Sequence, residues 1–351
     1  MGGGLMQLVA YGAQDIYLTG NPQITFFKVV YRRHTNFSME AIKQTWNGSS
    51  STDGQCSATI SRNGDLIHRM YIEVVGSASS NAYANPGSKS IASVELEIGG
   101  QKIDKHTGDW MEAWAELTEP NPTGVTGSAI NTSGTLFQNM SGMGGSTNGD
   151  TQNSRHFVPL QFWFCRNPGL ALPLIALQYH EVKVILDHKY ATGYGGGTTA
   201  VTNNLWCDYI YLDTDERRRF AQVSHEYLIE QVQEQTWSST NNELNFNHPV
   251  KELIWCSDTV AQEGYSTGLT LTDTWTLKLN GHDRFEGRHT VYFTRAQVWQ
   301  HHSGAGGLTS AGAGKAQFSD AIAVYSFALK PEEHQPSGTC NFSRIDNAIL
   351  D

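Results

Sequence analysis

Residues 94–110 read VELEIGGQKIDKHTGDW, and this stretch is echoed later in the chain, where residues 275–293 read WTLKLNGHDRFEGRHTVYF. Both contain an alternating run, a Gly-Gly or Asn-Gly turn, a basic residue, an apolar residue and an acid. Strict alternation of apolar and polar residues is the period of a strand with one wet face. Similarity of this kind within one chain indicates a structural unit that occurs twice.

Two further pairs of segments support the repeat. Residues 62–74 have a looser echo in residues 247–257, and residues 162–186 align with residues 325–350 as an aromatic strand, a proline-containing hinge and a second strand. The three pairs occur in the same order along the chain. The sequence therefore predicts two copies of one β domain.

Composition supports an all-β class. The chain has 351 residues with 35 glycines and only 17% charged residues, whereas a helical protein would carry more Glu, Lys, Ala and Leu. Short strand-like runs alternate with long polar loops, and residues 108–117 form the one plausible helix. Tandem domains of about eight short strands suggest jelly rolls or similar sandwiches.

The repeat also predicts where the units begin and end. We expect an N-terminal arm at 1–20, a first jelly roll at 21–212, a self-paired, solvated linker at 213–224 and a second jelly roll at 225–351. In the first copy a further strand, LWCDYIYLD, follows the strand that ends at Leu186, whereas the matching strand of the second copy ends at Leu350. The second unit is therefore expected to be short of its closing strand and to show an unpaired edge.

Charge and cysteine usage exclude several classes of protein. A formal net charge of −10 repels nucleic acid, so direct binding to a genome is not expected. The five cysteines are far apart and mostly lie in apolar runs, as buried free thiols of a protein from a reducing compartment do. The sequence shows no secretory signal and no apolar stretch long enough to span a membrane.

Candidate catalytic and metal-binding pairs do not complete a site. His180-Glu181 and His225-Glu226 lack the second histidine of a zinc-protease helix. His301-His302 is interpreted as a solvated loop pair with no carboxylate partner nearby. The sequence therefore predicts no enzyme, no metal and no cofactor.

One alternative from another functional class stays open. Glu95 and Glu97 share a strand face, and paired carboxylates on a β-sandwich can serve glycoside hydrolysis, although acids on the wet face of a strand are far commoner. Trp275, Trp299 and Tyr292 could form an aromatic platform for a sugar. The alternative is thus a two-domain β-sandwich that binds or cleaves carbohydrate.

Several blocks of sequence carry a family resemblance. They include QLVAYGAQDIYLTGNPQITFFKVVYRRHTNFS, VELEIGGQKIDKH, NPGLALPLIALQYHEVK, DYIYLDTDERRRFAQVSHEYLIEQ and YSFALKPEEHQPSGTCNFSRIDNA. In this order, from residue 7 to 349, they resemble the major capsid proteins of large icosahedral double-stranded DNA viruses, the nucleocytoplasmic large DNA viruses, most nearly those of the algal chlorovirus or phycodnavirus type.

The resemblance implies a double jelly roll that forms homotrimeric, pseudo-hexagonal capsomers of an icosahedral virion shell, built in the host cytoplasm. Its implied partners are further copies of itself, neighbouring capsomers, minor capsid proteins and a nearby internal membrane, with no direct contact to nucleic acid. It also implies that the N-terminal arm lies on the inner side of the capsid. A shortened paralogue that serves as a minor capsid protein is a second possibility within the same family, because family members continue past SRIDNA with more strand.

Two sets of candidate site residues follow. The arm and the start of the first unit offer apolar anchors, a turn and an arginine pair for assembly contacts. These residues are Tyr11, Ile16, Tyr17, Leu18, Asn21, Pro22, Phe26, Phe27, Arg32 and Arg33. Outer loops of family members can carry glycans, and Asn131 and Asn139 are the candidate acceptors here.

Overall fold

The structure is a computed structural model in which strands predominate. It describes residues 35–51, 53–75, 85–120, 135–145, 155–190, 201–236, 242–256, 269–311, 315–318 and 320–351. The strands of the first half are β1 Phe37–Gln44, β2 Asn47–Gly48, β3 Gly54–Thr59, β4 Leu66–Val75, β5 Ile91–Ile98, β6 Gln101–Thr107, β7 Arg155–Pro159, β8 Leu172–Pro173, β9 Val182–His188 and β10 Thr202–Leu212. Those of the second half are β11 Asn242–Glu243, β12 Pro249–Val250, β13 Glu252–Cys256, β14 Thr274–Leu279, β15 His282–His289, β16 Leu308–Ala311, β17 Lys315–Phe318, β18 Ile322–Ser326, β19 Cys340–Asn341 and β20 Ala348–Leu350.

Short helices connect the strands. They are α1 Pro86–Lys89, α2 Gly108–Thr118, α3 Leu136–Ser141, α4 Trp163–Arg166, α5 Thr214–Gln222 and α6 Gln297–His301, with a π-helix at Tyr292–Ala296 and 3₁₀ turns at Pro168–Leu170 and Phe342–Arg344. None of the helices in these ranges has the length and apolar character needed to cross a membrane. All five cysteines are free, and Cys56, Cys165 and Cys207 are buried.

The first unit is a sandwich of two antiparallel sheets. One sheet has the order β1-β10-β4-β7, with β8 also paired to β4, and the other has the order β2-β3-β9-β5-β6. Their inner faces meet in one core, to which Ile72 and Leu205 contribute from the first sheet and Leu96 and Val184 from the second, each with no exposed surface. The alternation seen in the sequence is therefore the alternation of core and surface.

The second unit repeats this plan with shorter strands. Strands β11-β20-β14-β15 form one sheet, and β13-β18, β12-β19 and β16-β17 form separate pairs. Its core joins Trp255 of β13 and Ala323 of β18 to Leu277 of β14 and Leu350 of β20. Apolar side chains from the long sheet and from the β13-β18 pair thus face each other, as in the first unit.

The predicted internal repeat is confirmed by strand pairing. The hairpin β14-β15 corresponds to β5-β6, and the pair β13-β18 corresponds to β4-β7. Strand β20 lies between β11 and β14, as β9 lies between β3 and β5. The segments 94–110 and 62–74 thus match 275–293 and 247–257 as the sequence predicts, and of the third predicted pair the second strand matches, β9 with β20.

One edge differs between the two units. Strand β4 has neighbours on both sides, β10 and β7, whereas β13 is paired with β18 alone within the described ranges. The sequence predicts an unpaired edge in the second unit but does not say which strand carries it. Strand β20 itself is an inner strand, with Ile349 opposite Glu243 on one side and Lys278 on the other.

The predicted helix at 108–117 is confirmed, and three other expectations are corrected. Helix α2 runs to Thr118, and the Thr107 hydroxyl caps it by accepting from the Trp110 amide at 3.2 Å. Residues 163–166, expected to continue a strand, form α4, and residues 292–301, expected to be strand and loop, are helical. The expected solvated, self-paired segment after Asp213 contains α5, whose Arg217 pairs instead with Asp65 of the first unit at 2.9 Å.

Candidate functional site: the junction of the two units

The second unit caps a helix of the first. Helix α2 ends with carbonyls that have no partner within the helix. The amides of Gly304 and Gly306 donate to the carbonyls of Leu117 at 2.7 Å and Glu116 at 3.0 Å, and the Ser303 hydroxyl donates to the Thr118 carbonyl at 3.0 Å. The segment that follows α6 therefore supplies the C-terminal hydrogen bonds of α2.

An apolar cluster lies beside these hydrogen bonds. Ala113 and Leu117 of α2 pack on a surface formed by α6 and by the outer face of the β13-β18 pair. The buried residues of the second unit in this cluster are Val298, Ala321, Ile322 and Val324, with Ile254 and Cys256 packed against them. Because side chains from both units lose water together, this cluster stabilises their contact.

His302 lies buried at the same junction between two acids. Its Nε2 lies 2.9 Å from Oε2 of Glu252, and its Nδ1 lies 3.1 Å from Oε1 of Glu332. Burial alone would lower the pKa of His302, but the hydrogen bonds and charges of the two carboxylates outweigh burial and raise that pKa to about 9. The imidazolium is therefore the stable form at neutral pH. Its ring also meets the edge of Trp114 of α2, with centroids 6.4 Å apart.

The prediction that His301-His302 is a solvated loop pair is wrong for His302. Its side chain has no exposed surface, and its carboxylate partners are 50 and 30 residues away in sequence. Adjacent residues in the chain gave no sign of these partners. The only local signal was the position of the histidine after an apolar turn, VWQHH.

A second ionic cluster is centred on Glu230, in the segment between the units. Its carboxylate pairs with Arg166 of the first unit at 2.6 Å and with Lys251 of the second at 2.7 Å. The guanidinium of Arg166 also lies over the Trp114 ring, 5.1 Å from its centroid. One carboxylate therefore joins cations of both units.

The connecting segment 231–235 joins the edges of two sheets. Towards the first unit, the Gln231 side chain donates to the Ile103 carbonyl and the Val232 amide donates to Oδ1 of Asp104 at 3.1 Å. Both partners belong to β6, the outer strand of its sheet. The segment thus covers a sheet edge that would otherwise offer unpaired backbone groups.

Towards the second unit, the side chains of two alternate glutamines make the hydrogen bonds that the backbone of a neighbouring strand would make. Gln233 accepts from the Asn247 amide at 2.8 Å and donates to the Asn247 carbonyl at 3.1 Å. Gln235 accepts from the Asn245 amide at 3.0 Å and donates to the Glu243 carbonyl at 2.6 Å. Each side-chain amide therefore mimics a peptide group, because it offers one donor and one acceptor at the spacing of a strand.

Two partly apolar surfaces of the described residues are at least partly accessible to solvent. The first, here named the β7 patch, consists of Tyr71, Phe157 and Trp206 on the outer face of β4, β7 and β10, opposite the core. Tyr71 and Phe157 meet edge to face, with centroids 6.1 Å apart. Oε2 of Glu73 accepts from Nε1 of Trp206 at 2.8 Å, which fixes the indole on the sheet.

The second surface, here named the α6 patch, consists of Arg295, Trp299 and Phe318. Trp299 is 84% exposed, and the Arg295 guanidinium lies 5.4 Å from the centroid of the Phe318 ring. These three residues line an open cavity of about 430 Å³ together with Gly304 of the junction. The α6 patch is therefore continuous with the contact between the units.

All ten predicted assembly residues lie outside the described part of the chain. These are Tyr11, Ile16, Tyr17, Leu18, Asn21, Pro22, Phe26, Phe27, Arg32 and Arg33, and the glycan candidate Asn131 lies outside it as well. Asn139 lies on α3, where its side-chain amide donates to the Thr135 carbonyl at 2.9 Å. The role of every one of these residues stays a prediction.

The predicted acid and aromatic sites for carbohydrate have ordinary surroundings. Glu95 pairs with Lys102 at 2.7 Å and Lys105 at 3.3 Å on the outer face of its hairpin. Trp275 packs on the core ring of Trp255, with centroids 5.5 Å apart, whereas Trp299 is exposed. Within the described ranges, no group of three or more His, Cys, Asp or Glu side chains could hold a metal ion.

Known proteins match the whole length of the chain. Residues 25–213 match the family model described as major capsid protein N-terminus, and residues 216–351 match the one described as large eukaryotic DNA virus major capsid protein. The major capsid protein of Pyramimonas orientalis virus is 53% identical, over 100% of this chain and 91% of its own length. That of Paramecium bursaria Chlorella virus 1 is 44% identical, over 100% of this chain and 87% of its own length.

Solved structures agree with this. A quasi-atomic model of the PBCV-1 virus capsid superposes with a TM-score of 0.73 at 38% identity, covering 93% of this chain and 86% of that one. The Faustovirus major capsid protein, at 14% identity and a TM-score of 0.60 over 94% of this chain and 88% of its own, shares the fold. The predicted double jelly roll is thereby confirmed, and the chain belongs to the family of major capsid proteins of large eukaryotic DNA viruses.

Proposed function

We propose that three copies of this chain form a homotrimeric capsomer with a pseudo-hexagonal outline, and that these capsomers tile an icosahedral shell. The chain is a structural component of the virus capsid, as its family membership shows. One observation carries the trimer: two repeated units contact each other through different surfaces, α2 on one side and the β13-β18 pair with α6 on the other. Contacts between unlike surfaces form a ring when the rotation closes.

Six units fit a ring of three chains. If each unit contacts the next in the way that the first unit contacts the second, three copies place six sandwiches about one threefold axis. Such an outline packs in a flat lattice and leaves weaker contacts at its rim for joining capsomers. The chain then acts through assembly and has no catalytic activity of its own.

The remaining partners are part of the same proposal. The N-terminal arm at 1–20 lies on the inner side of the shell, near minor capsid proteins and an internal membrane, and the shell is built in the host cytoplasm. The ten assembly candidates lie in this arm and at the start of the first unit. A formal net charge of −10 supports an absence of direct contact with the genome. Asn131 and Asn139 are the candidate glycan acceptors on the outer loops.

The mass of the folded protein tests the trimer. Three chains of 38.7 kDa give about 116 kDa, which we expect from light scattering and sedimentation velocity over a range of protein concentrations. Negative-stain images of the same sample should show a pseudo-hexagonal outline. A particle of 38.7 kDa at every concentration would contradict the proposal.

A further inference from the structure

We infer that the α6 patch of one copy packs on the β7 patch of the next, and that three such contacts close the ring. This inference rests on the proposed trimer and names the surfaces that hold it together. The α6 patch is Arg295, Trp299 and Phe318, and the β7 patch is Tyr71, Phe157 and Trp206. The partner at each patch is a second copy of this chain.

The contact between the two units of one chain indicates which two surfaces should meet between neighbouring chains. In the second unit, the outer face of the β13-β18 pair receives Ala113 and Leu117 of α2. The first unit has an equivalent pair, β4-β7, and its outer face carries the β7 patch. The β7 patch therefore occupies the position that is buried by a helix in the second unit.

The surface that should cover the β7 patch is identified from the position of the helices. Helix α2 follows the hairpin β5-β6 in the first unit, and the π-helix with α6 follows the equivalent hairpin β14-β15 in the second. The outward side chains of α2 are buried against the other unit, whereas Trp299 on α6 is 84% exposed. Helix α6 packs on β18 through Val298, but its opposite face, which carries Trp299, is not covered by any other described residue in the way that α2 is covered by the second unit.

The chemistry of the two patches is compatible with a contact between them. Each offers aromatic rings, which are enriched at the centres of protein interfaces. The arginine at each patch is already neutralised, because Arg155, beside the β7 patch on β7, pairs with Glu73, and Arg295 of the α6 patch pairs with Asp320 at 2.6 Å. Neither patch therefore presents an uncompensated charge, and the cavity beside Trp299 leaves room for a ring of the neighbouring copy.

Single substitutions test each half of the contact separately. Trp299→Glu and Phe157→Glu each place a charge at the centre of one patch, and we expect each variant to sediment as a monomer with a wild-type circular dichroism spectrum. Tyr179→Glu is the matched control, because Tyr179 is 93% exposed and belongs to neither patch. Tyr71→Glu replaces Phe157→Glu if the latter changes the melting curve.

Mixing the two variants tests the head-to-tail arrangement. The Trp299→Glu chain keeps its β7 patch and the Phe157→Glu chain keeps its α6 patch. One chain of each variant can therefore form a single intact contact, but the pair cannot bind a third chain to close a ring. Two chains of 38.7 kDa then give a complex of about 77 kDa. Variants that remain trimeric, or monomeric variants that do not combine into this complex, would overturn the inference. The mass of the wild-type protein reports separately on the proposed trimer.

Discussion

The amide of Gly304 donates to the carbonyl of Leu117 across 2.7 Å, so a backbone group of the second unit closes a helix of the first. Hydrogen bonds at helix ends are commonly supplied by the residues that directly follow the helix. Here they come from a segment far along the chain, and the same segment continues into an open cavity beside Trp299. The helix end thus links the contact inside the chain to the surface that we assign to the next copy.

We expect Gly304→Ala to weaken the contact between the units. An added Cβ would lie 2.4 Å from the Glu116 carbonyl oxygen and 2.5 Å from that of Leu117, so backbone would have to move. Overpacking of this kind costs about 1–3 kcal/mol. The melting temperature in differential scanning calorimetry should fall, and the transition should broaden or split as the units uncouple.

Gly287→Ala is the control for this substitution. Its Cβ would meet the Thr276 hydroxyl at 3.4 Å, an ordinary contact on an exposed strand. Equal losses in melting temperature for the two variants would show that the clash at Gly304 does not cause the destabilisation.

Stability should fall as pH rises from about 6.5 to about 9. The pKa of His302 is raised from 6.5 to about 9 in the folded protein. A group whose pKa is raised on folding stabilises the folded state fully below its unfolded pKa, and this stabilisation is lost as pH rises through the folded pKa. The loss is at most about 3–4 kcal/mol, because one unit of pKa corresponds to about 1.4 kcal/mol. Chemical unfolding at a series of pH values measures it.

His302→Gln should flatten this pH dependence while lowering stability at pH 6, because Glu252 and Glu332 lose their cation. His301→Gln is the matched control, since His301 is the neighbouring residue and its Nδ1 contacts only the Leu329 carbonyl, at 3.1 Å, among the hydrogen bonds described. A pH profile unchanged by His302→Gln would assign the dependence to another group.

The hydrogen bonds made by the Gln233 side chain should be detectable by amide hydrogen exchange. Gln233→Ala removes the acceptor of the Asn247 amide and the donor to its carbonyl, and we expect the Asn247 amide to exchange several-fold faster. An exposed hydrogen bond contributes about 1 kcal/mol or less, so global stability should change little.

Gln233→Glu separates the two hydrogen bonds. A glutamate keeps the acceptor for the Asn247 amide but at neutral pH has no donor for the Asn247 carbonyl. The amide should therefore stay protected in this variant. Fast exchange in both variants would indicate that the donor to the carbonyl holds the segment in place.

Much of the fold was predictable because its signals are local. The strands β5 and β14 alternate and end in glycine turns, and α2 has an apolar stripe and a threonine cap. Helix α6 was missed because the residues before it, TVYFT, favour strands by local propensity, and packing of the helix on β18 decides instead.

The junction was hidden for a different reason. Its contacts join residues that are far apart in sequence, such as His302 and Glu252, and no periodic pattern in the sequence predicts such contacts. The internal repeat identified two units but carried no information on which surfaces meet. The glutamines at 233 and 235 were likewise unremarkable in sequence, because their role depends on the backbone that they face.

Leu350→Ala should destabilise the second unit strongly, and Ile349→Ala should not. Strand β20 lies between β11 and β14 in its sheet, with one face towards the core and the other away from it. Leu350 is 2% exposed in the core of the second unit, whereas the side chain of Ile349 is on the opposite, partly exposed face. Removing a buried leucine side chain costs about 2–5 kcal/mol, and an exposed one far less. Urea unfolding of the two variants, followed by far-UV circular dichroism, measures the difference. Similar midpoints for both variants would mean that β20 is not held in the sheet as described.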